Sequence, residues 1–198
     1  MMKLLTIITA CIFINGLAHA EYISMSKYTQ KQRNWCWAAV SQTVRKNNKD
    51  VFRYQCKMAS ALLTNNSDTY CCGTDTRWEK NLYDSNTHPN RKSQCDKPYS
   101  ISKALEWNGI YQKTYRSPGS SSSIRDQIGY NDPVVVRVAW NSGGGHAMVI
   151  YGVTVGGIAG TTYNLWNPGR SSGAETIYHS SLRQYRGSGS WSHTYFTN

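Results

Sequence analysis

Apolar residues in the first part of the chain recur at the spacing of an amphipathic helix. Between residues 35 and 48 they stand at i, i+3, i+4 and i+8, which places them on one helical face. These positions are Cys36, Ala39, Val40 and Val44. Asn34 precedes the pattern and is a favourable N-cap, so we expect a helix to begin there and to hold Cys36 in its first turn.

Two further helices are predicted over residues 55–63 and 100–108. Gly109 follows the second of them, where a glycine readily ends a helix. The intervening residues 64–99 are polar and irregular. The N-terminal part of the chain is therefore predicted to be a helical lobe over about residues 28–112.

The second part of the chain changes to the period and composition of strands. Residues 117–123 read S-P-G-S-S-S-S and predict a turn-rich linker, and residues 124–130 predict a short helix. Runs rich in β-branched and aromatic residues then predict strands. They cover residues 133–140, 146–155, 161–166, 175–179 and 191–196. Helices followed by strands indicate an α+β fold, with a β lobe over about 113–198 and a cleft between the lobes as the natural place for a site.

The N-terminal residues have the pattern of an export signal. A basic residue precedes the apolar run 4–14, and the segment ends in the small-x-small sequence A-H-A at 18–20. A membrane-spanning helix needs about 20 apolar residues, so the run predicts a cleaved signal peptide over residues 1–20, with Glu21 opening the mature chain. A lipoprotein box ending at Cys11 and an uncleaved anchor are the alternatives left open. The predicted location is secreted or periplasmic.

The composition indicates one folded, exported domain over residues 21–198. Of the 198 residues 12% are aromatic and 39% hydrophobic, which excludes disorder for most of the length, and a mean hydropathy of −0.56 excludes an integral membrane protein. The formal net charge of +11 suits an acidic surface or partner. Because the chain is exported we expect no nucleic acid as partner, and we expect a monomer without a cofactor.

The cysteines predict two disulfides and one thiol. Of the six, Cys11 leaves with the signal, and an odd number remains in an oxidising compartment. Four are clustered, namely Cys56, Cys71, Cys72 and Cys95, whereas Cys36 stands apart and is expected to be free. A bridge between neighbours would be strained, so Cys56 pairs with Cys71 or with Cys72, and Cys95 with the other. No histidine stands at zinc-ligand spacing beside this cluster, so we expect no metal.

Cys36 and three polar residues form a candidate catalytic set. Helix N-terminal amides favour a thiolate and lower a cysteine pKa, and a nucleophilic thiol needs a base. His146 is the best base because it opens an apolar strand after three glycines. Asn167 would orient the imidazole, and Gln30 would donate to an oxyanion, with Gln32 as its rival. Taken singly, each has an ordinary alternative as a strand-end, turn or loop residue.

Three segments resemble those of bacterial papain-like cysteine peptidases, a group that includes secreted effector proteases of plant pathogens. The run Q-K-Q-R-N-W-C-W-A-A at 30–39 resembles their active-site segment. The run G-G-H-A-M-V-I at 144–150 resembles their histidine strand, and Y-N-L-W-N-P-G at 163–169 resembles their third-residue segment. The resemblance covers most of residues 28–170.

The resemblance implies a papain-like α+β fold, with an N-terminal helical lobe and a C-terminal antiparallel β lobe around the active-site cleft. It implies a secreted thiol peptidase, a virulence effector candidate, that hydrolyses protein or peptide substrates through an acyl-enzyme. Cys36 would be the nucleophile, His146 the acid and base, Asn167 the orienting residue and Gln30 the oxyanion donor. Papain has a disulfide cysteine three residues before its nucleophile. This chain has Arg33 there, so that bridge is absent.

Two other classes of function share some of these features. The same triad catalyses other amide chemistry, so a deamidase, a transglutaminase or a peptidoglycan amidase or endopeptidase stays open. A non-catalytic cationic binding module is also open, supported by the pairs Tyr115-Arg116 and Tyr185-Arg186 as a basic aromatic surface. A thiol-directed inhibitor discriminates between them, because only an enzyme needs a reactive thiol at Cys36.

Overall fold

Helices and strands of the chain are described in a computed structural model over residues 19–64, 70–72, 93–156 and 160–198. Most of the predicted signal peptide, with Cys11, lies outside these residues. No helix in the described part is long and apolar enough to cross a membrane.

The helices of the described residues are short and mostly precede the sheet. They are α1 (Cys36–Lys49), α2 (Gln55–Ala59), α3 (Ile101–Trp107), α4 (Ser121–Gly129) and α5 (His179–Arg183). A π-helical turn, Ser60–Thr64, continues α2, and a 3-10 turn, Tyr185–Gly187, follows α5.

Within the described residues, seven antiparallel strands form a single sheet. They are β1 (His19–Tyr22), β2 (Tyr111–Tyr115), β3 (Val134–Trp140), β4 (Gly145–Val155), β5 (Thr162–Trp166), β6 (Ala174–Tyr178) and β7 (Gly189–Thr197). The strand order is β2-β7-β3-β4-β5-β6. The long β4 pairs with β3 along its first part and with β1 along its last residues, on the edge that β3 no longer covers. The α+β prediction is confirmed, with helices toward the N-terminal side and the sheet toward the C-terminal side.

One apolar core joins α1 to the sheet. The helix packs against β4, and both elements contribute side chains that are fully buried. Val40 and Val44 supply the helix face, and Met148 and Ile150 supply the strand. The contact places the first turn of α1 beside the start of β4, which are the two ends that carry Cys36 and His146.

Local capping moves two helix starts from their predicted positions. The N-cap of α1 is Trp35 rather than Asn34, because the Asn34 side chain donates to the Asp96 carbonyl and its backbone N–H donates to the Asp96 carboxylate. The predicted linker 117–123 is partly helical. Ser120 caps α4 by accepting from the Ser123 N–H, which starts the helix inside the serine run.

Two strands and one helix were not predicted from the pattern. The segment of β2, Y-Q-K-T-Y, is mostly polar, and it forms an edge strand that pairs only with β7 among the described strands. The segment of β1 falls at the predicted cleavage site. The short α5 lies within the predicted β lobe, directly after β6.

The clustered cysteines form two disulfides, Cys56–Cys72 and Cys71–Cys95. This is one of the two connectivities that the sequence left open, and Cys36 is unbridged. The second bridge holds the segment at residues 95–97 that contacts the start of α1.

Removal of the Cys71–Cys95 bridge is expected to destabilise the protein and to loosen the start of α1. The double variant Cys71→Ala/Cys95→Ala should lose about 2–4 kcal/mol of unfolding free energy, because the bridge closes a long loop of the unfolded chain. Urea unfolding of the variant and the parent gives this difference. An unchanged denaturation midpoint would contradict the expectation.

Candidate active site

Cys36 is the first residue of α1, and its neighbours fix the helix start. The Trp35 indole N–H donates to the Cys95 carbonyl at 2.7 Å, and the Trp37 indole N–H donates to the Lys97 carbonyl at 3.1 Å. Both indoles are about 1% exposed. The W-C-W sequence therefore holds the thiol between two anchored side chains.

Burial raises the pKa of the Cys36 thiol. The backbone N–H groups of Ala147, Trp37 and Cys36 itself act in the other direction, as does the positive charge of Arg137. Burial is the largest cause, so the expectation that the helix start gives this thiol a lowered pKa is wrong. The thiol is therefore protonated near neutral pH and needs a base to become a nucleophile.

His146 and Asn167 are hydrogen-bonded to each other. The His146 Nε2 lies 2.8 Å from the Asn167 Oδ1. His146 is the second residue of β4, after a turn in which Gly143 and Gly144 have positive φ. Asn167 directly follows β5, the antiparallel neighbour of β4, so the register of the two strands brings the two side chains together.

The surroundings of His146 favour its neutral form. Burial lowers the pKa of the imidazole, and the hydrogen bond to Asn167 opposes that shift. The Trp140 ring stacks beside it, with the ring centroids 6.3 Å apart. A neutral imidazole can accept the proton of a neighbouring thiol.

Cys36 lies beside the strand that carries His146. The backbone N–H of Ala147, the residue after His146, acts on the Cys36 thiol and opposes the rise of its pKa. Both side chains are half-buried, within the contact between α1 and β4. The arrangement places a free thiol at the start of the helix that packs on β4, and β4 carries an imidazole whose Nε2 is already bound.

Gln30 lies at the same site, but its amide protons are not directed to an oxyanion, contrary to the expectation from the sequence. Its backbone N–H donates to the Pro168 carbonyl at 2.8 Å, which fixes it against the loop after Asn167. Its side-chain nitrogen donates to the carbonyls of Gln32 and Arg33, at 3.0 and 2.7 Å. Both amide protons are therefore engaged, and in this arrangement none points to an oxyanion.

The oxygen of the Gln30 amide lies close to Gly169, which His146 and Asn167 also approach. A Cβ placed on Gly169 would lie 3.5 Å from the Gln30 Oε1 and 3.3 Å from both the His146 Cε1 and the Asn167 Oδ1. The Gln30 Oε1 is buried and has no hydrogen-bond partner among the described residues. Gln32, the rival candidate, contributes its backbone carbonyl to Gln30.

Three further polar residues lie at the site, and none of them was predicted there from the sequence. Arg137 in β3 donates to the Gly144 carbonyl at 2.9 Å, and the sequence signal was one charged residue within the apolar run V-V-V-R-V. Tyr185 accepts from the Asn167 Nδ2 at 3.2 Å and donates to Glu175 at 2.6 Å. Tyr185 is 1% exposed, so its expected place on a basic surface is wrong.

No protein-family model and no curated protein matches this chain. Among solved structures, the bromelain protease of Ananas comosus, in complex with the inhibitor E64, is similar with a TM-score of 0.41 and 14% identity, over 87% of this chain and 94% of that chain. The Pseudomonas avirulence protein AvrPphB is similar with a TM-score of 0.27 and 13% identity, over 57% of this chain and 63% of that chain. Function is therefore inferred from the side chains of the site.

Proposed function

We propose that this chain is an exported papain-like cysteine peptidase that hydrolyses peptide bonds through an acyl-enzyme on Cys36. The observation that carries the proposal is the His146 Nε2 to Asn167 Oδ1 hydrogen bond of 2.8 Å. It lies at the start of the strand on which the helix of the free thiol Cys36 packs. Thiol acyl transfer requires a nucleophile, a base that takes its proton, and a group that orients the base. The two disulfides are in keeping with export.

The proposed reaction begins with the neutral pair. The Nδ1 of His146 takes the thiol proton, and the sulfur attacks the carbonyl carbon of the substrate, whose oxygen becomes an oxyanion. When the tetrahedral intermediate collapses the C–N bond breaks, and the imidazolium protonates the leaving amine. A water molecule then loses its proton to His146 and attacks the thioester, which releases the carboxylic acid and restores the thiol.

The oxyanion needs hydrogen-bond donors beside Cys36. The backbone N–H of Cys36 is one of the N-terminal amides of α1 that have no partner within the helix, so it is available to a substrate oxygen. In the proposal Gln30 is the second donor. Its amide then rotates on substrate binding so that one proton leaves a loop carbonyl for the oxyanion.

Gln30→Ala is expected to lower peptide turnover by about 100-fold while leaving alkylation of Cys36 by iodoacetamide unchanged. Alkylation builds no oxyanion, so it reports the thiol alone, whereas turnover reports both. Gln32→Ala is the matched control and should retain turnover. Full turnover of Gln30→Ala would show that Gln30 is not an oxyanion donor. A loss of turnover in Gln32→Ala alone would assign that role to Gln32 instead.

The substrate class is tested with the mature protein and a mixture of unfolded proteins. Mass spectrometry should find new peptide termini, which hydrolysis of the backbone creates, and Cys36→Ser should create none. Conversion of glutamine to glutamate, or cross-linking of glutamine to amines, without new termini would instead favour the other amide chemistries of the same acyl-enzyme.

A further inference from the structure

Beyond His146 and Asn167, a chain of hydrogen bonds continues from the Asn167 amide away from the histidine, and its first bond is buried. The Asn167 Nδ2 donates to the Tyr185 Oη at 3.2 Å, and the Tyr185 hydroxyl donates to the Glu175 Oε1 at 2.6 Å. Arg186 donates to the other carboxylate oxygen at 2.9 Å. We propose that Tyr185 and Glu175 are positioning residues, which fix the end of the Asn167 amide that faces His146 and thereby fix the tautomer of the imidazole.

The direction of the chain follows from the carboxylate at its end. An ionised carboxylate only accepts hydrogen bonds, so the single hydroxyl proton of Tyr185 must point to Glu175. The oxygen of Tyr185 is then an acceptor for Asn167, which requires the amide nitrogen on that side. The amide oxygen consequently faces His146.

A second donor supports the same orientation of the amide. The backbone N–H of Gly169 donates to the Asn167 Oδ1 at 3.0 Å. Asn167 is 6% exposed and Tyr185 1%, so little water is present to satisfy a reversed amide. A reversal would set the amide nitrogen against the Gly169 N–H and the amide oxygen against the Tyr185 oxygen, and both mismatches are costly in a buried site.

The tautomer of His146 is the consequence that matters for the proposed function, on which this inference rests. An amide oxygen accepts only from a protonated Nε2, so the neutral ring carries its proton there and its lone pair on Nδ1. The proposed mechanism needs that lone pair for the thiol proton. With the amide reversed, Nε2 would accept, Nδ1 would hold the proton, and the base would be lost.

Tyr185→Phe removes the hydroxyl and keeps the ring that packs 6.0 Å from Trp140, centroid to centroid. We expect kcat to fall by about 3- to 10-fold with KM unchanged, because one orienting hydrogen bond is lost and no substrate contact is. Tyr178→Phe, at the exposed end of the same strand as Glu175, is the matched control and should be unaffected.

Glu175 provides a second test if Tyr185→Phe does not fold. Glu175→Leu removes the acceptor and should reproduce the loss in kcat. Glu175→Gln keeps an oxygen that accepts from the hydroxyl, so this variant should retain most of the wild-type kcat. In an Asn167→Ala background Tyr185→Phe should cause no further loss, because Tyr185 acts through that amide. The same fold-loss in both backgrounds would overturn the proposal.

The tautomer itself is read by nitrogen NMR of protein labelled at its histidines, with the His146 signals assigned from a His146→Ala spectrum. The wild-type ring should be protonated at Nε2, and Tyr185→Phe should give a mixture of the two neutral forms. A wild-type proton on Nδ1, or an unchanged tautomer in Tyr185→Phe, would overturn the inference. This readout needs no turnover, so it stands apart from a failure of the peptidase proposal.

Discussion

Cys36→Ala is expected to abolish peptide turnover while leaving the fold intact. In the proposed mechanism the sulfur forms the bond to the substrate, and the other described cysteines are held in disulfides and cannot replace it. Loss of a covalent nucleophile lowers kcat by about 10⁵-fold or more. The variant removes one atom from a half-buried position at a helix start, so its unfolding free energy should change by about 1 kcal/mol or less.

The measurement is steady-state hydrolysis of a peptide substrate that was identified with the wild-type protein. Thermal unfolding of the wild type and of Cys36→Ala is recorded in parallel. Cys36→Ser is the matched control, because it keeps the size and polarity of the side chain but has a far less acidic nucleophile. Both variants should be folded and inactive. Retained turnover in Cys36→Ala would end the peptidase proposal.

His146→Ala is expected to cause a loss of turnover nearly as large, about 10⁴-fold or more. Thiol deprotonation and protonation of the leaving amine both use the imidazole in the proposed mechanism. His193→Ala is the matched control, since His193 contacts Ser192 and Tyr195 in β7. Equal turnover of the wild type and His146→Ala would show that another group is the base.

Iodoacetamide labelling across pH separates the role of His146 from a general loss of structure. Burial holds the His146 pKa below its ordinary value of 6.5, so the neutral base persists to mildly acidic pH and turnover should fall only below pH 6.5. Burial holds the thiol pKa above its ordinary value of 9.0. In the proposed mechanism the wild-type imidazole takes the thiol proton as the sulfur reacts, so labelling should be measurable near neutrality. In His146→Ala no base is left, and labelling should increase only at strongly alkaline pH.

The parts of the fold that were predictable are those with a clear period. The helix α1 and the strands β3 to β7 follow their apolar patterns closely, because burial against one common core determines which positions are apolar. Tertiary pairing decided the rest. The polar segment of β2 becomes a strand only because β7 offers it a partner, and Asn34 is not the cap of α1 because Asp96, 62 residues away, binds it.

The sequence indicated the principal residues of the site, but not how their side chains are oriented. The W-C-W and G-G-H sequences identify the places of Cys36 and His146. The direction of the Gln30 amide depends on two carbonyls of its own loop, and the thiol pKa depends on the depth to which the sheet covers it. No periodic pattern encodes either. Tyr185 and Glu175 reach Asn167 only because β5 and β6 are neighbours and the turn after α5 folds back on them.

Capture of the acyl-enzyme tests the central claim most directly. Wild-type protein is mixed with a peptide ester, quenched in acid within the first turnover, digested with trypsin and analysed by mass spectrometry. The account predicts that the acyl group is found on the peptide of residues 34–45, at Cys36, and that it disappears as the product forms. Hydrolysis of the same ester without an adduct on Cys36, or with the adduct on another residue, would contradict it.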